Sequence, residues 1–277
     1  MKGFFVFFLV IIAAVLFSGC APDSGPGERE LGVWWWHSEL IGDRRYLDFA
    51  VQNKVEEIYL CTEDFSGETE DFVQEARAQG IRVYLLAGDY TYIEDDGPLQ
   101  ELLRLYQDYQ NRVSETRRFA GVHLDIEPHQ HPQFASRRAE ILAEYLALIM
   151  GLQNQMPVEI DIPFWFDDPV PYKGGEKPLY QALIDTVNRV FVMSYRDTAA
   201  KMYEVAQEEI GYAASLNKPL MLGAELSPSG EGDQVSYAEE GKAYLYSQLE
   251  ELLTKLPDVS QFGVAIHHIA SWYGLKD

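Results

Sequence analysis

Eight short runs of apolar, β-branched and aromatic residues recur along the chain. Runs of this length and composition are typical of buried β-strands, and they constrain the fold more than any other feature. Each of the first seven runs is followed by a segment that can form a helix. The eight runs are 31–37, 55–63, 81–89, 119–127, 157–166, 189–196, 218–225 and 262–272.

Helical periodicity is clearest at 97–117 and 134–155, between the third, fourth and fifth runs. Eight strands alternating with helices in about 250 residues predict an α/β chain of the (β/α)8 TIM-barrel type over 32–277. The chain reaches Asp277 soon after the eighth run, so the last helix is expected to be short or missing. A doubly wound open sheet shows the same alternation and stays open as the alternative. The other helices are expected near 43–53, 70–79, 178–188, 199–216 and 238–255.

The first residues are typical of a targeting segment. Lys2 supplies a positive charge, and 4–17 form an apolar stretch that is short for a membrane span. The sequence LFSGC resembles the end of a bacterial lipoprotein signal. The resemblance implies a signal peptide over 1–19, a lipid such as palmitate on Cys20, and a polar tether over 20–31. It predicts an extracytoplasmic, membrane-anchored protein of the cell envelope, on the outer membrane if the producer has one. An ordinary signal peptide or an uncleaved anchor is the alternative.

The composition restricts the classes of partner. A formal net charge of -22 should repel nucleic acid and anionic lipid, so we predict no nucleic-acid partner and favour an uncharged substrate. No glycine-rich phosphate fingerprint follows the first run, and no Walker motif is present, so no cofactor is predicted. The sequence gives no indication of oligomeric state.

Ionisable and aromatic residues gather where the predicted strands end, and all six histidines are among them. In a barrel of this type, the carboxyl ends of the strands build the active site. Buried polar groups destabilise a fold unless they are paired, so their concentration at one edge predicts a site. The main candidates are Trp36, His37, Asp89, His123, Asp125, Glu127, His129, Asp161, Trp165, Tyr195, Arg196, Glu225, His267 and Trp272.

The fourth run carries the densest set of these residues. Because side chains alternate along a strand, His123, Asp125 and Glu127 should all point into the barrel. Two neighbouring carboxylates do not both ionise easily, so the pKa of one should rise. A raised pKa suits a general acid that works near neutral pH. A purely structural hydrogen-bonded cluster is the alternative.

The sequence GVHLDIEP resembles the fourth-strand motif of family 18 glycoside hydrolases, the chitinase-like barrels. This resemblance implies that Glu127 is the general acid and that Asp125 orients an N-acetyl group of the substrate. The sequence VMSYR resembles the sixth-strand motif of the family, which implies a site role for Tyr195. Trp272 resembles the tryptophan that forms the floor of the sugar site. The resemblance therefore implies a glycoside hydrolase that acts on a carbohydrate outside the cytoplasm.

The chain departs from this family at three places. Ala120 and His123 stand where the family has acidic residues, and Arg196 stands where it usually has Asp. A second resemblance, to retaining barrel glycosidases with two glutamates, pairs Glu127 as acid/base with Glu225 as nucleophile. Both schemes make Glu127 the proton donor, and the choice between them stays open. A salt bridge between Glu225 and Arg196 is the structural alternative for Glu225.

Aromatic side chains at the strand ends are consistent with carbohydrate, because sugar rings stack on flat apolar surfaces. Trp36, Trp165 and Trp272 are the predicted stacking residues, although aromatic residues on strands also pack against helices. The predicted polar contacts to the substrate come from His37, Asp89, His123, His129, Asp161, Arg196 and His267.

Two other classes of function stay open. A metal-dependent hydrolase or deacetylase could use Asp125, His129 and His131, completed by His267 or His268. No metal ligand is predicted among the site residues, because His129 and His131 follow Pro128 and belong to a loop. A non-catalytic, carbohydrate-binding surface lipoprotein is the other class.

Overall fold

The computed structural model of the protein describes residues 30–258 and 261–277. The predicted signal peptide, Cys20 and the tether as far as residue 29 lie outside the described residues. The first strand begins at Glu30, so the last two residues assigned to the tether are part of that strand. Within the described ranges, no helix is long and apolar enough to cross a membrane.

Eight parallel strands close into one barrel, and a two-stranded antiparallel hairpin lies beside it. In chain order the strands are β1 (Glu30–Trp35), β2 (Glu57–Cys61), β3 (Arg82–Ala87), β4 (Gly121–Leu124), β5 (Val158–Pro163), β6 (Pro169–Tyr172), β7 (Gly175–Pro178), β8 (Arg189–Met193), β9 (Leu220–Glu225) and β10 (Phe262–His267). The barrel order is β1–β10–β9–β8–β5–β4–β3–β2. The predicted barrel is confirmed, and the open sheet is wrong because β1 pairs with β10.

Helices cover the outside of the barrel. They are α1 (Arg44–Gln52), α2 (Gly67–Ala78), α3 (Gly97–Arg112), α4 (Phe134–Gln155), α5 (Leu179–Thr186), α6 (Ala199–Val205), α7 (Gln207–Ser215), α8 (Lys242–Lys255) and α9 (Ile269–Gly274). The helix expected at 199–216 is interrupted at Ala206, so it forms α6 and α7. The last helix, α9, is a short one, as the sequence predicts.

The hairpin β6–β7 was not expected from the sequence. Lys173 and Gly174 both have positive φ, at 47° and 84°, which is the geometry of a two-residue turn between antiparallel strands. Pro169 and Pro171 lack a backbone N–H, so β6 is restricted to an edge position. Prolines also argue against a strand when only the sequence is considered. The hairpin lengthens the connection between β5 and α5.

Strand alternation divides the aromatic residues between two cores. Trp34 points into the barrel, where it packs with Tyr59, Phe191 and other buried residues. Trp35 points outward and packs against Phe72 of α2, with ring centroids 5.0 Å apart. The inner core fills the barrel below the carboxyl ends of the strands, so it forms the floor on which a site can be built.

The amino-terminal end of the barrel is closed by ion pairs that we call the N-terminal charge cluster: Glu30, Glu57, Arg82, Glu159 and Arg189. Arg189 is almost fully buried and contacts Glu30 and Glu57 at 2.6 Å and Glu159 at 2.9 Å. Arg82 contacts Glu57 at 2.7 Å. Burial alone would raise the pKa of Glu57, but Arg189 and Arg82 outweigh it and lower that pKa. This end is therefore held by paired charges.

Candidate active site

A cavity of about 390 Å³ opens at the carboxyl ends of the barrel strands. Four carboxylates face it, and among the described residues no lysine or arginine lines it. A larger groove of about 810 Å³ lies between β1, α1 and α8, away from these strand ends and from their ionisable groups. The smaller cavity is the candidate site. It is lined by Trp36, Gly88, Asp89, Tyr90, Asp125, Glu127, Gln130, Met193, Tyr195, Glu225 and His267.

Asp125 and Glu127 follow β4 directly and both face the cavity. The strand itself ends at Leu124, so the two carboxylates lie just beyond it, but alternation still directs them to the same side. Gly88, after β3, allows the two chain segments to approach closely. A Cβ at Gly88 would lie 2.2 Å from the backbone oxygen of Asp125, which no other residue type permits without movement.

Both of these carboxyls favour the protonated form. Burial, followed by the charge of Asp161, raises the pKa of Glu127 to about 7. Burial, Asp161 and Glu127 raise the pKa of Asp125 well above its usual value. Oδ1 of Asp125 is buried without a hydrogen-bond partner in the protein. The expectation of a raised pKa on this pair agrees with its surroundings, and Glu127 can hold a proton near neutral pH.

Glu225, at the end of β9, has the opposite character. Its Oε2 lies 2.7 Å from Nδ1 of His267, and its Oε1 accepts a hydrogen bond of 2.6 Å from the backbone N–H of Ser227. Burial would raise the pKa of Glu225, but these hydrogen bonds outweigh burial and lower it. Glu225 is therefore ionised under conditions in which Glu127 is still largely protonated. Its expected alternative partner, Arg196, does not contact it.

Tyr195 also lines the cavity, just after β8. Gly223 leaves room for its ring, because a Cβ at that glycine would lie 3.0 Å from a ring carbon of Tyr195. Burial, followed by the charge of Glu225, raises the pKa of the Tyr195 hydroxyl well above its usual value. The hydroxyl thus keeps its proton and can donate a hydrogen bond into the site.

His123 and Asp161 lie beneath the cavity rather than in it. Nε2 of His123 is 2.9 Å from Oδ2 of Asp161, and the same oxygen accepts from the indole N–H of Trp34 at 3.1 Å. Burial would lower the pKa of His123, but Asp161 and Glu159 raise it to about 9. His123 is 0% exposed and Asp161 is 2% exposed, and neither residue lines the cavity in which the sequence places its contact with a substrate. They form a charged layer under the site.

Of five further predicted binding residues, Asp89 lines the cavity, whereas His129, Trp165, His37 and Arg196 lie outside its lining. Asp89 lines the cavity and caps the turn after β3 through Thr91. His129 lies 3.7 Å from Glu127 and packs edge-on against Trp165. His37 is half-exposed and pairs with Glu39, outside the cavity lining. Arg196 lies over the ring of Phe164 and donates to its neighbour's carbonyl oxygen, so it too is outside the lining.

The position expected for Trp272 is wrong. It lies on α9 instead of on the eighth strand, and it is 1% exposed. Its ring packs edge-on against Phe49 of α1 at 5.2 Å, on the outside of the barrel. The helix begins immediately after His268, so the chain turns outward before Trp272. This residue cannot form the floor of the cavity.

The residues considered for a metal site are separated from one another. His131 contacts Glu94 at 3.0 Å, His267 contacts Glu225, and His129 lies beside Glu127. Across the described part of the chain, no three His, Cys, Asp or Glu side chains are arranged to hold a metal ion.

Sequence reasoning missed three residues that shape the site. Gln130 lines the cavity from the loop after β4, Ser227 holds Glu225, and Gly88 permits the close approach of β3 and β4. Of these three, only Gln130 could have been suspected from the sequence, because it stands between His129 and His131 in the loop that follows Glu127.

Comparison with known proteins finds chains of similar fold among the solved structures. No protein-family model and no curated protein matches the chain. A chitinase from Bacteroides thetaiotaomicron is 12% identical, covers 88% of this chain and 91% of its own, and has a TM-score of 0.54. A class V chitinase variant from Nicotiana tobaccum, in complex with NAG4, is 10% identical, with coverage of 88% and 95% and a TM-score of 0.51. The Bacillus megaterium spore cortex-lytic enzyme SleL is 12% identical, with 90% and 74% covered and a TM-score of 0.51. At such identities the likeness shows the TIM-barrel fold.

Proposed function

We propose that the protein is a glycoside hydrolase with Glu127 as its general acid and Glu225 as the ionised carboxylate that faces the reacting sugar. One observation carries the proposal: two glutamates with opposite preferences for a proton line the same cavity. Glycoside hydrolysis uses one protonated and one ionised carboxyl group in this way. The barrel places both at the end where enzymes of this fold bind substrate.

The reaction follows from these protonation states. Glu127 donates its proton to the glycosidic oxygen while the bond from that oxygen to the anomeric carbon breaks, and the leaving sugar departs as an alcohol. The positive charge that develops on the anomeric carbon is stabilised by Glu225. A water molecule then supplies the new hydroxyl group and returns a proton to Glu127. Asp125 and the Tyr195 hydroxyl are positioned to donate hydrogen bonds to the substrate.

Carbohydrate as the substrate is supported by the walls of the cavity and by the similar folds. Trp36, Tyr90 and Tyr195 give the cavity aromatic surface on which a sugar ring can stack. Two of the three similar structures are chitinases by name, and one of them holds NAG4. A substrate with an N-acetyl group would offer its own carbonyl oxygen to the anomeric carbon, whereas a plain sugar would depend on Glu225 alone to stabilise the charge there. Paired substrates with and without this group therefore separate the two routes.

The proposal is tested by hydrolysis of aryl glycosides and cell-wall polysaccharides by the full-length chain in detergent. Glu127→Gln removes the transferable proton and keeps the shape of the side chain, so turnover should fall by about 10²- to 10⁴-fold. Glu63→Gln is the matched control, because Glu63 is an exposed residue after β2 that does not line the cavity. Turnover that is lost only in Glu127→Gln supports the proposal. No turnover on any sugar, or equal turnover in both variants, contradicts it.

We also propose that the chain is anchored in the cell envelope through a lipid on Cys20. The support is the sequence before that cysteine: a positive start, a short apolar stretch and LFSGC. Growth of producing cells with an alkyne-labelled fatty acid should label the chain. Cys20→Ser should abolish the label, while Cys61→Ser, at the other cysteine of the chain, should keep it. Label that persists in Cys20→Ser contradicts the proposal.

A further inference from the structure

His267 makes two hydrogen bonds that together define where its proton lies. Its Nδ1 lies 2.7 Å from Oε2 of Glu225, and its Nε2 lies 3.0 Å from the indole Nε1 of Trp36. An indole N–H only donates a hydrogen bond, so Nε2 of His267 must be the acceptor and cannot carry a proton. The single ring proton is therefore on Nδ1, and it is donated to Glu225.

This arrangement depends on the closure of the barrel. His267 and Glu225 occupy paired register positions at the ends of β10 and β9. Trp36 follows β1, which lies on the other side of β10 in the closed barrel. Three adjacent chain segments thus contribute the indole, the imidazole and the carboxylate in that order.

Without the hydrogen bond from Trp36, the groups around His267 would favour its doubly protonated form. Glu225 is hydrogen-bonded to it, and Glu127 lies close enough to interact with it electrostatically. Tyr195 stacks at 6.0 Å, but burial and the charge of Glu225 raise the pKa of its hydroxyl, so it stays neutral. His268 lies edge-on at 5.4 Å, and burial lowers its pKa, so it is neutral as well. The ionised carboxylate of Glu225 attracts a second proton to His267, and Glu127 does so only after it has lost its own proton. The indole N–H of Trp36 occupies the nitrogen that would accept it.

We propose that Trp36 and His267 are positioning residues that hold Glu225 as a full negative charge by keeping His267 neutral and protonated only on Nδ1. This inference rests on the proposed role of Glu225 in glycoside hydrolysis. A neutral donor fixes the carboxylate without cancelling its charge, and a charged carboxylate stabilises the developing positive charge on the sugar more strongly. Trp36 thus serves the chemistry through its N–H, in addition to any stacking by its ring.

Nitrogen-15 NMR of the full-length chain with labelled histidine tests the inference whether or not any sugar is hydrolysed. In the wild-type chain at pH 7, His267 should show one protonated and one unprotonated nitrogen. In Trp36→Phe the aromatic ring is kept but the N–H is lost, so His267 should take up a second proton at the same pH. Trp35→Phe is the matched control, because the indole N–H of Trp35 bonds to the backbone oxygen of His37. His267 should keep its single proton in that variant.

Kinetics on an active substrate separate positioning from stacking. Loss of the hydrogen bond to His267 should lower kcat by about two- to tenfold in Trp36→Phe with little change in KM. A variant that only loses contact with the sugar would raise KM and leave kcat unchanged. The inference is overturned if wild-type His267 carries two protons at pH 7, or if Trp36→Phe leaves its protonation as in the wild type. Absence of hydrolysis with the expected NMR result would overturn the proposed function but not the tautomer.

Discussion

Both ends of the barrel collect glutamates, but among the described residues arginines pair with them at the amino-terminal end and none lines the cavity at the carboxyl end. In the N-terminal charge cluster, Arg189 and Arg82 surround Glu57. At the carboxyl end, the cavity around Glu127 is lined by further carboxylates, and no Lys or Arg of the described chain joins them. Burial acts in the same direction at both ends, but the pKa of Glu57 is lowered while that of Glu127 is raised to about 7.

The difference shows that the partner of a buried carboxylate, more than its burial, decides its charge. Paired charges at one end serve stability, because removing one partner would leave the other buried and unpaired. At the other end, carboxyl groups without a cationic partner destabilise the fold when they ionise. They therefore stay protonated to a higher pH, and that proton can be transferred to a substrate. The barrel thus separates a structural end from a reactive end along one axis.

The sharpest test of this separation is the dependence of turnover on pH. The reactive form of Glu127 is protonated, so kcat/KM should fall as the pH rises through about 7. The fall should approach tenfold per pH unit above pH 8 and amount to about 50-fold between pH 7 and pH 9. The measurement is kcat/KM on one aryl glycoside from pH 5 to pH 9. Glu57→Gln should keep the same profile, and a profile that is flat above pH 7 would remove Glu127 from the role of acid.

Removing a charge at the structural end should mainly lower stability. Glu57→Gln leaves Arg189 and Arg82 with fewer partners, so the free energy of unfolding at pH 7 should drop by about 3 kcal/mol. Urea unfolding followed by circular dichroism gives this value. Glu68→Gln, at an exposed position in α2, is the control and should change stability little. Equal stability of Glu57→Gln and the wild type would mean that the cluster contributes no net stabilisation.

The same Glu→Gln substitution at the reactive end, Glu127→Gln, should raise the free energy of unfolding at high pH instead of lowering it. Because the folded pKa of Glu127 is raised, its contribution to stability is present below about pH 4.5 and is lost as the pH rises through about 7. Glutamine stays neutral, so Glu127→Gln should be more stable than the wild type at pH 8 by about 1–3 kcal/mol. At pH 4 the two proteins should unfold at similar urea concentrations. Lower stability of the variant at pH 8 would contradict an unpaired, destabilising carboxylate.

His123 should give the smallest response, because it lies between the two ends and is paired. Asp161 and Glu159 raise its pKa to about 9, so its ring should stay doubly protonated from pH 5 to pH 8. Its stabilising contribution is present below about pH 6.5 and is lost only as the pH rises through about 9. Nitrogen-15 NMR of the labelled histidines measures this directly. Asp161→Asn should move the transition to lower pH, and a transition of the wild-type ring below pH 7 would contradict the assignment.

Much of the fold could be predicted because it depends on local pattern. Each barrel strand lies within one of the apolar runs, extending at most one residue beyond it, and alternation along the fourth run correctly directs Asp125 and Glu127 to one side. The hairpin was missed because Pro169 and Pro171 obscure its strand pattern. Trp272 was misplaced because the turn that begins α9 after His268 leaves no clear mark in the sequence.

The sequence by itself determined which residues stand at the carboxyl ends of the strands, since strand length and alternation are local properties. Only the tertiary structure decided which of them meet. Closure of the sheet brings Trp36 to His267, and register brings His267 to Glu225. The same packing buries His123 and Asp161 under the cavity and keeps Arg196 away from Glu225. Contacts between residues more than 200 positions apart are set by closure and register, and no local pattern encodes those distances.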